Sequence, residues 1–194
     1  MKARENPFAS HRIESLPFQF PAGDGWDSLL ARLAAAHWRG AIVGPHGTGK
    51  TTLLEELARQ LASRGFVPRA FTLRGETSRQ AKRDLLAAVR SLKSPDFLLL
   101  DGAEQLSTRE WLTLHGASAA CAGCVLTLHR AGRLPTIFET APTPALLKSL
   151  TAALSPRDVS TAESRSLFAR HHGDLRACLR ELYDQQAERE PAAR

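Results

Sequence analysis

The chain of 194 residues predicts an α/β fold, a mostly parallel five-stranded sheet wound on both faces by helices, with a small C-terminal helical lid. Three observations predict it. Apolar runs of strand length alternate with stretches whose apolar residues recur at helical spacing, the pattern of a doubly wound sheet with right-handed crossovers. One run, Phe97-Leu98-Leu99-Leu100, is uninterrupted, as expected of a strand covered on both faces. After residue 155 the strand signal stops, and two helical stretches flank Gly173.

Each element follows from local chemistry. Residues 1–25 read as an N-terminal arm, irregular over 1–23 because of Pro7, Pro17 and Pro21, and anchored by Phe8, Ile13, Leu16, Phe18 and Phe20. Residues 26–155 form the α/β core and 156–194 the lid and tail. Asp24-Gly25 opens a helix that places Trp26, Leu29, Leu30, Leu33 and His37 on one face before a turn at Arg39-Gly40. Ala41-Ile42-Val43 is the first strand. A helix carrying Leu53, Leu54, Leu57, Ala58 and Leu61 runs to Arg64-Gly65, and Arg69 to Leu73 is the second strand. Residues 78–92 are helical, with Ala81, Leu85, Ala88, Val89 and Leu92 on one side, until Ser94-Pro95 breaks them. The third strand runs from Asp96 to Asp101. Leu106 to Ala120 is a helix capped at Ser107 or Thr108 with Glu110 behind. Cys124 to Leu128 and Pro135 to Glu139 are the last strands, and Thr143-Pro144 opens a helix to Leu154. Helices over roughly 160–171 and 174–188 complete the lid, and Arg189 to Arg194 is expected to fray.

Between the first strand and its helix stands Gly44-Pro45-His46-Gly47-Thr48-Gly49-Lys50-Thr51, a full G-x-x-x-x-G-K-[ST] motif, the Walker A loop. Its glycines permit backbone conformations that let successive N–H groups turn inward around a phosphate. Lys50 brings a mobile positive charge to the terminal phosphates, and the Thr51 hydroxyl suits the Mg²⁺ that accompanies a nucleotide. Thr52 is expected to begin the helix proper, and His46 fills a variable position of the loop. Strand, loop and helix in that order separate this motif from a glycine-rich surface turn.

A magnesium–nucleotide site also needs a carboxylate at the end of a buried strand, and Asp101 supplies it. With both motifs in place, the chain resembles the P-loop NTPases, in particular the branch that contains the AAA+ ATPases, over about residues 26–185. The resemblance implies a three-layer P-loop NTPase sandwich, ATP and Mg²⁺ as ligand and cofactor, and metal contacts from Thr51 and Asp101. It also implies that Gly44 to Thr52 surrounds the nucleotide, with Lys50 acting on its phosphates. Where that branch places its catalytic glutamate, this chain has Gly102. Glu104 is the nearest carboxylate, either a displaced catalytic group or a solvated glutamate at a helix start. At the end of the fourth strand, where the branch carries a polar phosphate sensor, Thr127, His129 and Arg130 are available. Gly173-Asp174-Leu175-Arg176 is similar to the start of the branch's lid helix, which makes Arg176 a second phosphate sensor. Arg130 and Arg133 are candidates for arginine fingers toward a neighbouring subunit. A small-molecule kinase and a non-hydrolysing nucleotide switch remain as alternatives, while the absence of a Leu-Ser-Gly-Gly-Gln-like stretch argues against an ABC cassette.

Composition bounds the partners. A net charge of +6 and a pI near 9.8 come largely from residues 59–93. There Arg59, Arg64, Arg69, Arg74, Arg79, Lys82, Arg83, Arg90 and Lys93 face only Glu76 and Asp84. A face of this kind attracts nucleic acid or an acidic protein, although only Phe66 and Phe71 fall among the charges, little aromatic surface for base-stacking. A protein partner or a homo-oligomer is the other expectation. No apolar run is long enough for a membrane span, and Met1 to Pro7 lacks the apolar core of a signal peptide, so a cytoplasmic location is expected. Cys121 and Cys124 have the spacing of half a zinc site. With no second short-spaced pair beside Cys178, His171 and His172, they read as small apolar residues.

Overall fold

The computed structural model describes residues 5–155 and 159–189, and the expected fraying of the last residues lies outside them. The elements run α1 (Ser10–Glu14), α2 (Trp26–Ala35), β1 (Arg39–Val43), α3 (Lys50–Ala62), β2 (Val67–Thr72), α4 (Arg79–Ser91), β3 (Asp96–Asp101), α5 (Thr108–Ala117), β4 (Gly123–Leu128), β5 (Thr136–Glu139), α6 (Pro144–Leu154), α7 (Thr161–Arg170) and α8 (Leu175–Arg189). Two compact units are formed: Phe20–Gly44 with Lys50–Thr140, and Met1–Gln19 with Pro45–Gly49 and Ala141–Arg194. The boundary drawn from sequence at 155 places α6 with the sheet, whereas the compact units divide after Thr140.

The sheet unit has strand order β2-β3-β4-β1-β5, with every pairing parallel. Burial grades across it. β4 is buried along its whole length and β3 over Phe97 to Leu100, while β2 is mostly exposed. Pro68 fits there because an edge strand can lose a ladder donor at little cost. Alternation along the strands gives each face its own residues. Val43, Leu98, Leu100, Leu126 and Leu128 join Leu85, Leu86 and Val89 of α4 and Leu114 of α5 in one core cluster. Ile42, Phe97, Leu99 and Val125 point to the opposite face, which α2 and α3 cover with buried Leu29, Leu33, Leu53, Leu57 and Leu61. The result is a three-layer sandwich.

Several local expectations change in detail. The arm contains α1, one short helical stretch within the proline-rich segment. His37 lies beyond the end of α2 and, like Trp38, takes a left-handed conformation (φ 53° and 61°), so it does not extend the helical face. The stretch from Leu106 to Ala120 is α5 followed by a 3-10 turn, Ser118–Ala120.

In the helical unit, Phe8 packs with Leu147, Leu154, Leu167, Leu175, Cys178, Leu179 and Leu182. Asn6, nearly fully buried, gives its side-chain N–H to the Tyr183 carbonyl at 2.9 Å and accepts from Phe8 N–H at 2.9 Å, so the arm is held by satisfied polar contacts as well as packing. Thr143, Ser160 and Asp174 each accept from a first-turn N–H, capping α6, α7 and α8. Among the described residues no helix is long and apolar enough to cross a membrane.

The N-terminus of α5 is a reciprocal capping box. Glu110 accepts from Ser107 N–H and the Ser107 hydroxyl, each at 2.8 Å, while Glu110 N–H reaches Ser107 Oγ at 3.4 Å. The Ser107 backbone bond is the main reason the Glu110 carboxyl lies below its ordinary value of 4.5. A lowered carboxylate pKa stabilises the fold above 4.5, and that contribution disappears as pH falls through the folded value. Ser107→Ala is expected to cost about 1 kcal/mol in urea unfolding at pH 7, with a smaller difference at pH 3. An equal loss at both values would show that the charge of Glu110 plays no part in the cap.

Candidate functional site

All five strands are parallel, so the loop after β1, the turn after β3 and the end of β4 gather at one edge of the sheet. β4 lies between β3 and β1, its Leu128 level with Val43, and Gly44 N–H donates to Leu128 O at 3.1 Å. This bond sets the first residue of the phosphate loop beside the chain segment that carries His129.

α3 begins at Lys50, two residues before the expected Thr52, so the helix N-terminus, with its unsatisfied N–H groups and partial positive charge, opens inside the motif itself. The Lys50 ammonium is buried and donates to Gly44 O at 2.7 Å, closing the loop's two ends. Within the helical unit, Thr48 Oγ1 donates to Pro45 O at 2.9 Å. Gly47 is left-handed (φ 68°), and a Cβ built on it would lie 1.8 Å from Asp174 Oδ1. Only a glycine lets the Asp174 carboxylate come this close. Pro45 and His46 are exposed, and Thr52 is half-buried.

Asp101 ends β3 with both carboxylate oxygens engaged. Thr51 Oγ1 donates to Oδ2 at 2.8 Å and Thr127 Oγ1 donates to Oδ1 at 2.5 Å, while Thr127 Oγ1 accepts from Gly102 N–H at 2.8 Å. The two residues assigned from sequence to the metal are therefore in direct contact. Thr127, 1 % exposed, spends its hydroxyl on this brace. Its place at the end of the fourth strand made Thr127 a candidate, but its partner was not readable from the chain.

Gly102 is left-handed (φ 80°), and a Cβ there would meet the Leu73 carbonyl oxygen at 2.2 Å. No side chain fits at the position where a glutamate would follow the aspartate. The chain turns away into a 3-10 turn, Ala103–Gln105, whose carbonyls are tied down by cations. Arg133 donates to Ala103 O at 2.5 Å and Leu106 O at 2.6 Å, with its guanidinium over the Trp111 ring, and Lys82 donates to Gln105 O. Arg133 thus clamps this turn. The clamped turn presents Glu104, whose Oε1 lies 3.4 Å from His129 Nε2. Its Oε2 is buried without a hydrogen-bond partner. His129, grouped from sequence with the nucleotide contacts, is brought to this carboxylate.

Arg130 and Arg176 are exposed, and Arg176 lies in the first turn of α8, two residues after the Asp174 that meets Gly47. Cys121 and Cys124 belong to the sheet unit and Cys178 to the helical unit. All three are buried free thiols, and burial pushes Cys124 up to about 12 and Cys178 to about 11. Among the described residues no group of three or more His, Cys, Asp or Glu is placed to hold a metal ion. A hydroxyl and one carboxylate, the pair at Thr51 and Asp101, is the donor set of a cation that also takes phosphate oxygens and water.

A parallel sheet with a glycine phosphate loop after β1 and a threonine-braced aspartate after β3 defines a P-loop nucleotide-binding protein. The comparisons with known proteins narrow the class. Residues 41–124 match the model of the ATPase family associated with various cellular activities, AAA. A single-substitution variant of RuvB from Thermotoga maritima superposes with a TM-score of 0.52 at 19% identity, over 80% of this chain and 58% of that one. PCH-2 of C. elegans gives a TM-score of 0.42 at 14% identity, over 84% and 67%. No curated protein matches in sequence. The match to the AAA model and the likeness of fold to RuvB support a P-loop, AAA+-like NTPase, and the chain spans little more than half the length of the RuvB chain.

The turn geometry makes a direct prediction. Gly102→Glu, which would restore the glutamate usual in the branch, is expected to destabilise the protein by about 2 kcal/mol or more, through left-handed strain and the collision with Leu73 O. Chemical denaturation measures it, and an unchanged midpoint would mean that the turn relaxes at no cost.

Proposed function

We propose that the protein is a Mg²⁺-dependent ATPase that couples ATP binding and hydrolysis to a bound protein partner or to further copies of itself. The observation that carries this reading is Asp101 at the end of buried β3, hydrogen-bonded to the hydroxyl of Thr51, the residue after the loop lysine. In this reading the backbone of Gly44 to Thr52, with Pro45, His46, Gly47, Thr48 and Gly49 at its centre, surrounds the phosphates, and Lys50 supplies charge. Thr51 and Asp101 would hold Mg²⁺, which when bound offsets the negative charge of the phosphates.

Glu104 accepts a proton from the attacking water as its oxygen bonds to the γ-phosphorus and the bond to the β,γ-bridging oxygen breaks, leaving ADP and phosphate. Three features support this role: the clamped turn, a buried carboxylate oxygen without a partner, and the place of Glu104 at the sheet edge from which the phosphate loop rises. Arg176 contacts phosphate from α8, supported by the approach of Asp174 to Gly47 in the same unit. For the partner, a protein is favoured over nucleic acid. Of the basic stretch 59–93, Arg69 is paired with Asp96 at 2.7 Å and Lys82 is spent on the Glu104 turn. A cytoplasmic location agrees with the free thiols.

One observation favours a second reading, a switch that binds ATP without hydrolysing it. No side chain fits at Gly102, where the branch carries its catalytic carboxylate. Steady-state phosphate release and calorimetric ATP binding separate the two. Lys50→Ala is expected to weaken ATP binding at least tenfold. Glu104→Gln is expected to keep that affinity and to lose about a hundredfold in turnover, the usual range for removing a positioned base. Tight binding with no turnover by the unaltered protein would select the switch.

A further inference from the structure

We propose that His129 is the positioning residue for Glu104, and that the two side chains act as one unit in activating water. The proposal rests on the assignment of Glu104 above, but it predicts a physical pair that is measurable whether or not ATP turns over.

The pair is specific to how this chain folds. Because Gly102 is left-handed and pressed against Leu73 O, the polypeptide cannot deliver a carboxylate directly after Asp101. It delivers one three residues later, from a short 3-10 turn. A side chain projecting from such a turn has several rotamers open to it, and a base that acts on a bound water needs one. Arg133 and Lys82 hold the backbone of the turn through the carbonyls of Ala103, Gln105 and Leu106. None of these contacts orients the Glu104 carboxylate itself. His129 does, with Nε2 at 3.4 Å from Oε1 and a side chain only 27 % exposed.

The position of His129 is equally constrained. It directly follows β4, whose last residue, Leu128, takes the Gly44 N–H into its carbonyl. The imidazole is therefore anchored to the strand that lies beside β1, and a carboxylate held by it is referenced to the end of that strand. Within Glu104, Oε1 faces the imidazole, while Oε2 is buried and without a hydrogen-bond partner. A buried carboxylate oxygen without a donor is costly, which agrees with a site built to receive one.

Two measurements on the full chain test this. The first is the titration of the His129 ring followed by NMR in nucleotide-free protein. A carboxylate at this distance favours the protonated imidazole, so Glu104→Gln should lower the His129 pKa by about half a unit or more. An unchanged titration overturns the pair, independently of any ATPase activity. The second is a double-mutant cycle on phosphate release, with ATP affinity measured in parallel. His129→Ala should lower kcat about tenfold to a hundredfold with ATP affinity within twofold, and His129→Gln, which retains a donor, should recover part of that loss. In a Glu104→Gln background His129→Ala should have no further effect. Weakened ATP binding in His129→Ala, with an unchanged kcat, overturns the proposal in favour of a direct nucleotide contact. If Glu104→Gln leaves turnover intact while the NMR pair is present, the assignment of Glu104 as the base fails along with the catalytic purpose of the pair.

Discussion

The hydrogen bonds that converge on Asp101 are the constraint from which the rest of the site follows. Asp101 is half-buried at the end of a strand whose four preceding residues are fully buried, and both of its carboxylate oxygens are met. Thr51 meets one and Thr127 the other. Because Thr51 lies on α3 and Thr127 on β4, satisfying this one group fixes the start of the loop helix against two adjacent strands. The Thr127 hydroxyl also takes Gly102 N–H, so the same brace sets the turn that follows.

From that turn the site departs from the arrangement usual in the AAA+ branch that the chain resembles. Gly102 gives up a side chain so that the backbone can pass under the Leu73 carbonyl. The loss is compensated by a second layer of construction, in which Arg133 lies across Trp111 and clamps the Glu104 turn and Lys82 reinforces it from α4. Two residues from the basic surplus of the chain thereby serve to hold backbone carbonyls, a use that net charge alone does not reveal. Preorganised backbone is what the catalytic role proposed for Glu104 requires, since positional freedom at a reacting atom translates directly into lost rate.

Much of the fold was legible from the chain, and the reasons are physical. The phosphate loop is written in residue types that its chemistry demands, and Phe97 to Leu100 reads as a central strand because a strand covered on both faces has no polar side. Less legible were features that depend on contacts far apart in sequence. His37 continues the helical pattern of α2 but is turned left-handed beyond its end. Arg133 carried no mark that distinguished a clamp from a finger, because its partners are backbone carbonyls some 30 residues away.

By itself the sequence determined the phosphate loop, the aspartate after the third strand, the glycine where a glutamate is usual, and the alternation that yields a parallel sheet. These are local: each is set by residue types within a window of one strand and one turn. Only the tertiary structure decided that Thr127 braces Asp101, that Arg133 clamps a turn, and that Glu104 meets His129. Those pairings join the ends of β3 and β4 across the sheet, and their distances depend on register and on the direction of one left-handed turn, neither of which a linear pattern encodes.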